Sequence, residues 1–361
     1  MEWTCDIREN VGTKMKQLLE KLSDAPGISG HECAVRKLIT SEIESYVDEI
    51  YPDSMGNLTA IKYSECEFKV PTIMLAAHMD EIGLTVRYID SDGYIFFNQI
   101  GGWFDQTLLN QRMVIHTRDE KQYYGIIGSK PPHVMKSAEY DKVIKTDDMF
   151  LDVGAGSKSE VEKMGIEIGN QIVPDAKFFT LNGTKVSGKA LDNRAGCAML
   201  IEAIKRLGNI RANVYAVFTV QEEVGLKGAK TAAYRINPDY AFATDVTICG
   251  DHPGISPKDA NMFMGKGPAV MVSDACGRGI IVPEVILRHV RDAAKEYDIP
   301  VQYEAGNSGT TDGMAIQLTR EGIPTGVISV PTRYIHTPYS VMDMTDLESA
   351  VNLVVRMLEA W

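Results

Sequence analysis

Five places in this 361-residue chain carry histidine or carboxylate side chains at or near the ends of apolar runs or the starts of loops: His78-Met79-Asp80, Asp192, Glu222-Glu223, Asp245 and His336. Each has a bland account when taken alone. His78 reads as a satisfied core histidine and Asp192 as the N-cap of a helix. Asp245 reads as a strand end, and His336, in Arg333-Tyr-Ile-His-Thr-Pro338, as a loop residue. An isolated Glu-Glu pair reads as a solvated cap. Together they place imidazoles and carboxylates on one sheet edge, and such a donor set, with no cysteine in it, suits zinc, cobalt or manganese. Charge counting favours two ions over one. Asp192, Glu223 and Asp245 supply three negative charges if ionised, and neutral His78 and His336 supply none. Two divalent cations would leave one positive charge, which a bridging hydroxide cancels. One cation would leave a net negative cluster in a partly dry pocket, which is harder to stabilise. Two-metal sites with ions about 3.5–4 Å apart hold a hydrolytic water between them. Glu222 is then left as the general base.

The elements that must position these groups are organised around Thr219-Val-Gln-Glu-Glu-Val-Gly225. Val214-Tyr-Ala-Val-Phe218 is apolar and rich in β-branched and aromatic residues, the pattern of a buried strand. A buried strand does not run into two carboxylates unless something meets their charge. Glu222 and Glu223 therefore sit at its C-terminal end, with Gly225 allowing the turn. Val70-Pro-Thr-Ile-Met-Leu-Ala-Ala-His78 is a second such strand. Upstream, Met15, Leu18, Leu19 and Leu22 follow Val11 at helical spacing, and Ser29-Gly-His-Glu32 reads as a capping box opening a helix to about Tyr46.

Between Gly83 and about Gly183 short alternating runs are separated by Gly, Asp and Asn, with one helix around Ser157–Met164 and charged loops such as Glu139–Asp148. That texture predicts a small β-barrel-like unit. From Ser187 onward strands and helices alternate again, which predicts a largely parallel sheet with helices on both faces. The strand ending near Asp245 is read as Tyr240–Asp245. The expected plan is a catalytic α/β domain built from residues 1–81 and 184–361, with a β-rich domain, 82–183, inserted. His31, His116 and His133 read as surface or structural histidines.

Composition narrows the partners. Hydrophobic residues make up 44% and charged residues 24%, as in a globular protein. A net charge of −12 argues against nucleic-acid or anionic-membrane partners. The opening Met1-Glu-Trp-Thr-Cys-Asp has no signal pattern, and the six cysteines are scattered without a C-x-x-C pair, so a reduced cytoplasmic protein is expected.

Ala77-His-Met-Asp-Glu-Ile-Gly83, Gly188-Lys-Ala-Leu-Asp-Asn-Arg194, Gln221-Glu-Glu-Val-Gly225, Thr244-Asp245 and Arg333-Tyr-Ile-His336, in this order, resemble the tetrahedral (TET-type) aminopeptidases over almost the whole chain. These are co-catalytic dimetal peptidases whose members are also labelled glutamyl aminopeptidase, deblocking aminopeptidase or endoglucanase. One H-x-D or E-E-x-G is weak; five ordered pieces are specific. The resemblance implies a dimetal peptidase-like fold and an aminopeptidase acting on peptide substrates. It implies two divalent ions, one held by His78 and Asp245, the other by Glu223 and His336, with Asp192 bridging them. It places Asp80 behind His78 as its orienting partner and Glu222 as the base. It makes the inserted domain a dimerisation unit within a homo-oligomer, since relatives form dodecamers built from dimers around a cavity.

One stretch departs from the family. Where relatives often carry Gly-Gly-Thr-Asp-Ala, this chain has Gly309-Thr-Thr-Asp-Gly313, which keeps Thr311 and Asp312 but alters their neighbours. Arg278, in Cys276-Gly-Arg-Gly279, reads as a surface loop arginine, the alternative being a pocket residue favouring acidic side chains. Three rivals stand beside the aminopeptidase reading. A glycosidase needs carboxylates facing each other across a bond, which adjacent glutamates do not supply. A non-catalytic scaffold would be expected to have lost Glu222. A carboxypeptidase or deacylase with the same metals differs only in the substrate end it accepts.

Overall fold

The computed structural model describes residues 3–137 and 141–361, with side chains from Gly12 onward; Met1-Glu2, the Val11 side chain and Glu139 lie outside these. A large mixed sheet runs in the spatial order β1 (Glu49–Pro52), β2 (Leu58–Lys62), β12 (Asn213–Thr219), β3 (Thr72–His78), β13 (Tyr240–Ile248), β16 (Thr325–Arg333), β17 (Ser340–Asp343), β11 (Lys185–Gly188) and β10 (Phe179–Asn182). Its central strands β12, β3, β13 and β16 are parallel neighbours. Beside β16 lie β14 (Ala269–Ser273), antiparallel to it, and β15 (Gln302–Ala305), parallel to β14.

Strand alternation decides what each face packs against. In β3, Ile73, Leu75 and Ala77 face one way, into a core shared with α1 (Trp3–Asp24), α2 (Cys33–Ile43), α4 (Leu191–Arg206), α6 (Glu284–Glu296) and α8 (Met344–Glu359). Met74 and Ala76 face the other way, against Ala229, Ala232 and Ala233 of α5 (Lys227–Ile236) and Ile316 of α7 (Asp312–Gln317). Each fully buried large aliphatic side chain contributes about 1.5–3 kcal/mol by leaving water. The central strands are apolar on both faces because helices cover both, as parallel sheets require.

A second core lies inside a closed six-stranded antiparallel barrel. Its strands are β4 (Gly83–Ile89), β5 (Ile95–Ile100), β6 (Arg112–His116), β7 (Gln122–Gly128), β8 (Phe150–Asp152) and β9 (Gln171–Pro174). Leu84, Val86, Phe97, Met113, Ile115, Ile127, Leu151 and Ile172 fill it. The expected helix near Ser157 is α3 (Lys158–Lys163), whose Ser157 hydroxyl accepts from the Glu160 amide. No helix among the described residues is long and apolar enough to cross a membrane.

Three local expectations need correction. Ser29 does not cap α2, which starts at Cys33 without a side-chain cap; its hydroxyl donates to Asp80 Oδ2 instead, at 2.6 Å. Asp245 does not end β13, which continues to Ile248 because Thr247 and Ile248 still pair with β16. Asp192 is not an N-cap: Ala190 occupies that place before α4, and Asp192 itself has extended-type dihedrals of φ −80° and ψ 106°.

Candidate metal centre

β3 and β12 end side by side, with His78 opposite Thr219 in parallel register, and β13 carries Asp245 on the other side of β3. The carboxyl edge of parallel strands is where open α/β sheets bind ligands. Past Thr219 the chain leaves strand geometry at Gln221, φ +56°, and turns again at Gly225, φ +118°. The alternation that would send Glu222 and Glu223 to opposite faces is thereby broken, and both line one cleft of about 380 Å³. The start of the turn is pinned by two side chains: Asn57 Oδ1 accepts from the Val220 amide at 3.0 Å and Glu32 Oε1 from the Gln221 amide at 3.1 Å.

Asp80 ties the parts together. It is fully buried, and its Oδ1 accepts from the Glu222 amide at 3.0 Å while Oδ2 accepts from the Glu223 amide at 3.2 Å and from Ser29. His78 Nδ1 lies 3.1 Å from the Asp80 carbonyl oxygen and 3.5 Å from Oδ1, so Nε2 is left facing the cleft. Burial opposes the Asp80 charge, but the His78 ring, Ser29 and the Glu222 amide together hold its pKa below the usual carboxylate range.

Asp192 sits between the two histidines. Its Oδ1 is 3.2 Å from His78 Nε2 and its Oδ2 is 3.4 Å from His336 Nε2. Asp245 Oδ1 and Glu222 Oε2 lie 3.8 and 3.9 Å from His78 Nε2, and Glu223 Oε2 lies 3.7 Å from His336 Nε2. Asn193 fixes the spacing of two of these carboxylates, since its Nδ2 donates to the Thr244 carbonyl at 2.8 Å, one residue before Asp245. Two sets of three donors are close enough to share an ion: His78, Asp192 and Glu223, and His78, Glu222 and Asp245. These five residues and His336, which belongs to neither set, line the same cleft, so the donors read from the sequence converge, and Glu222 stands within ligand reach as well.

The barrel contributes what the sequence did not reveal. His336 follows β16 at φ +60°, and its Nδ1 lies 2.7 Å from the Gly102 carbonyl oxygen in the loop after β5. A Cβ at Gly102 would sit 3.0 Å from His336 Nδ1, and one at Gly101 would sit 3.0 Å from Glu223 Oε2. The Gly101-Gly102 pair thus permits a close approach of barrel backbone to both side chains.

Electrostatics explains why cations fit here. Burial, then repulsion from Asp192, pushes Glu223 up to about 8. Burial, reinforced by neighbouring acids, pushes Glu222 and Asp245 well above the carboxylate range despite the His78 ring. The Asp192 carboxylate draws His336 up to about 9, against burial. Glu222, Asp312, Asp192 and Asp245 stand among the acids around these rings, and no Lys or Arg lines the cleft among the described residues. Divalent cations would supply the missing positive charge.

Other sequence candidates fall elsewhere. Arg278 is exposed and bonds to the Ala275 carbonyl, outside the residues lining the cleft. His31, His116 and His133 do not line it either. Asp312 stands out in the sequence only as part of Gly309-Thr-Thr-Asp-Gly313, yet it is buried, accepts from the Thr219 hydroxyl, and is pushed by burial up to about 6. Nothing in local sequence signals that contact, which joins residues 93 positions apart.

Comparisons with known proteins point to one family. The family model of M42 glutamyl aminopeptidases matches residues 56–353. The lysyl aminopeptidase of Pyrococcus furiosus is 35% identical over 95% of this chain and 96% of its own length. A solved TET aminopeptidase from a marine-sediment Thaumarchaeota archaeon is 39% identical, with a TM-score of 0.92 over 96% of each chain. The Pyrococcus horikoshii TET1 peptidase, described as assembling into a tetrahedron or a large octahedral shell, is 34% identical, with a TM-score of 0.85 over 95% of this chain and 99% of that one.

Replacing Asp80 with Asn keeps the size but puts an amide N–H₂ against donors and removes the charge facing His78. Co²⁺ affinity, measured by competition with a chelating dye, is expected to fall about 10–100-fold. An unchanged affinity would show that Asp80 does not organise the donors.

Proposed function

We propose that this chain, which belongs to the M42 glutamyl aminopeptidase family and is a peptidase, removes N-terminal residues from peptides bearing a free α-amine by means of two divalent metal ions. The single observation carrying this reading is Asp192, one oxygen toward each histidine, flanked by Asp245 on one side and Glu223 on the other. In this reading His78 and Asp245 hold one ion, Glu223 and His336 the other, and Asp192 spans both. Zinc, cobalt or manganese suits the oxygen and nitrogen donors. When bound, such a pair polarises a carbonyl and lowers the pKa of water held between the ions.

The residues of the chain do the rest. With its Nδ1 turned to the Asp80 carbonyl oxygen, His78 would offer Nε2 to an ion. Glu222, only 11% exposed at the cleft wall, is the proposed base: it takes a proton from the attacking water and returns it to the leaving amine. Burial raises the Glu222 pKa above the ordinary carboxylate range, the direction that makes a carboxylate a stronger proton acceptor. An acid-lined cleft, with no Lys or Arg in its wall among the described residues, receives an ammonium and repels a peptide's C-terminal carboxylate, which favours the aminopeptidase over the carboxypeptidase reading. We also propose that the barrel mediates self-association into a homo-oligomer, by analogy with the TET1 assemblies. Tyr124 and Ile126 on β7 support this: both are exposed, at 59% and 44%, on the barrel's outside.

A free-amine peptide and its N-acetylated form distinguish the substrate end. Cleavage of the first and not the second is expected by chromatography; comparable cleavage of both would refute the requirement. Glu223→Gln is expected to lower metal content and activity together. Glu222→Gln should keep its metal while kcat falls on the order of 10²–10⁴-fold, with a smaller change in KM. Metal analysis beside steady-state kinetics reads both, and metal loss in Glu222→Gln alone would reverse the two roles. For assembly, the double substitution Tyr124→Lys, Ile126→Glu should reduce the particle mass seen by light scattering, and an unchanged mass would exclude this face.

A further inference from the structure

Beyond the metal-centre acids, the same cleft is lined by two more carboxylates, Asp274 and Glu304. They come from neighbouring strands. Met271 of β14 pairs with Glu304 of β15, Ser273 with Ala305, and Asp274 follows directly. Glu304 reaches toward the centre: both its oxygens accept from the one hydroxyl of Thr247, at 2.7 and 2.8 Å, two residues beyond Asp245. Asp274 is only 2% exposed. Its Oδ1 accepts from the Ile280 amide, while its Oδ2 is buried with no hydrogen-bond partner.

A buried carboxylate oxygen without a donor is unfavourable in a resting protein. With Asp274 held by the Ile280 amide and the Thr310 hydroxyl, and its neighbour Glu304 by the Thr247 hydroxyl alone, this pair of acids is short of positive charge. Burial raises the pKa of both; Thr247 draws Glu304 back down, and the Ile280 amide and Thr310 hydroxyl do the same for Asp274, while Asp274 itself raises Glu304. Among the described residues no Lys or Arg lines the cleft to meet them. The cation is therefore to be brought by the ligand. Val246, Ile248 and Met271 line the same cleft and offer apolar contact to an aliphatic stem, the combination that long cationic side chains use.

We infer that Asp274 and Glu304 form the pocket for the N-terminal side chain and select lysine or arginine there. This rests on the aminopeptidase reading above. Selectivity is then a matter of unpaired groups: a neutral or acidic residue leaves Asp274 Oδ2 without a partner, whereas an ammonium or guanidinium supplies the donors. A guanidinium can meet both acids at once, because its donors are spread over a planar fork.

The test uses the full-length, metal-loaded protein and fluorogenic amides of arginine, lysine, leucine, glutamate and citrulline, the last being an uncharged isostere of arginine. The kcat/KM for arginine is expected to exceed that for citrulline on the order of 10²-fold, and lysine to exceed glutamate by more. Glu304→Gln and Asp274→Asn, which keep the Thr247 and Ile280 hydrogen bonds, should each pull the arginine-to-citrulline ratio toward one. An arginine-to-citrulline ratio near one in the unaltered protein overturns the inference while leaving the aminopeptidase reading intact. A uniform loss across all substrates in both variants, with the ratio preserved, also overturns it and assigns the two acids to the α-ammonium. Failure to cleave any free-amine substrate removes the aminopeptidase reading and this inference with it.

Discussion

Asp80 is a fully buried carboxylate whose two oxygens receive the amides of Glu222 and Glu223 and the Ser29 hydroxyl, and whose backbone carbonyl faces the His78 ring. A charge in that position is tolerable only because donors surround it. In return it couples the end of β3 to the turn after β12, so the imidazole and the two glutamates cannot move independently. The next residue does a different task. Glu81 points to the Gly27 amide and to Lys189 Nζ, at 3.0 and 2.7 Å, with Arg194 alongside. Arg194 in turn donates to the carbonyls of Met79, Leu22 and Ala25. One acid thus orders the site and its neighbour staples the site to the first helix and the loop before α4.

Against that frame the cleft gathers more negative charge than the fold neutralises. The consequence is division of labour by position along the cleft. The acids near His78 and His336 crowd around two imidazoles and call for small divalent ions. Glu304 on β15 and Asp274, just past the end of β14, call for an organic cation with an apolar stem. The barrel takes part by backbone alone: Gly101 and Gly102 come close enough to Glu223 and His336 that any side chain would intrude.

The candidate metal donors were legible in the sequence because each follows an apolar run or opens a loop, and residue type limits what such a run can end in. His78, Asp192, Glu222, Glu223, Asp245 and His336 line one cleft for that reason. The central strands were legible from β-branched composition, and the barrel from its short alternating runs. What stayed hidden depends on contacts distant in sequence. Ser29 carries a capping pattern, yet a buried carboxylate 51 positions away takes its hydroxyl. β14 and β17 join the sheet through antiparallel pairings with β16 that no local pattern specifies. Gly102 and Asp274 look like ordinary loop residues until the fold brings His336 and Glu304 beside them.

The central claim is that Asp192 stands between two ions, with Glu223 and His336 on one side and His78 and Asp245 on the other. Anomalous diffraction from crystals of the cobalt-loaded protein tests it directly. The account expects two peaks per subunit, about 3.5–4 Å apart, with one Asp192 oxygen toward each and Glu222 outside both coordination spheres. A single peak, or a pair in which Glu222 replaces Glu223 as a ligand, would contradict it.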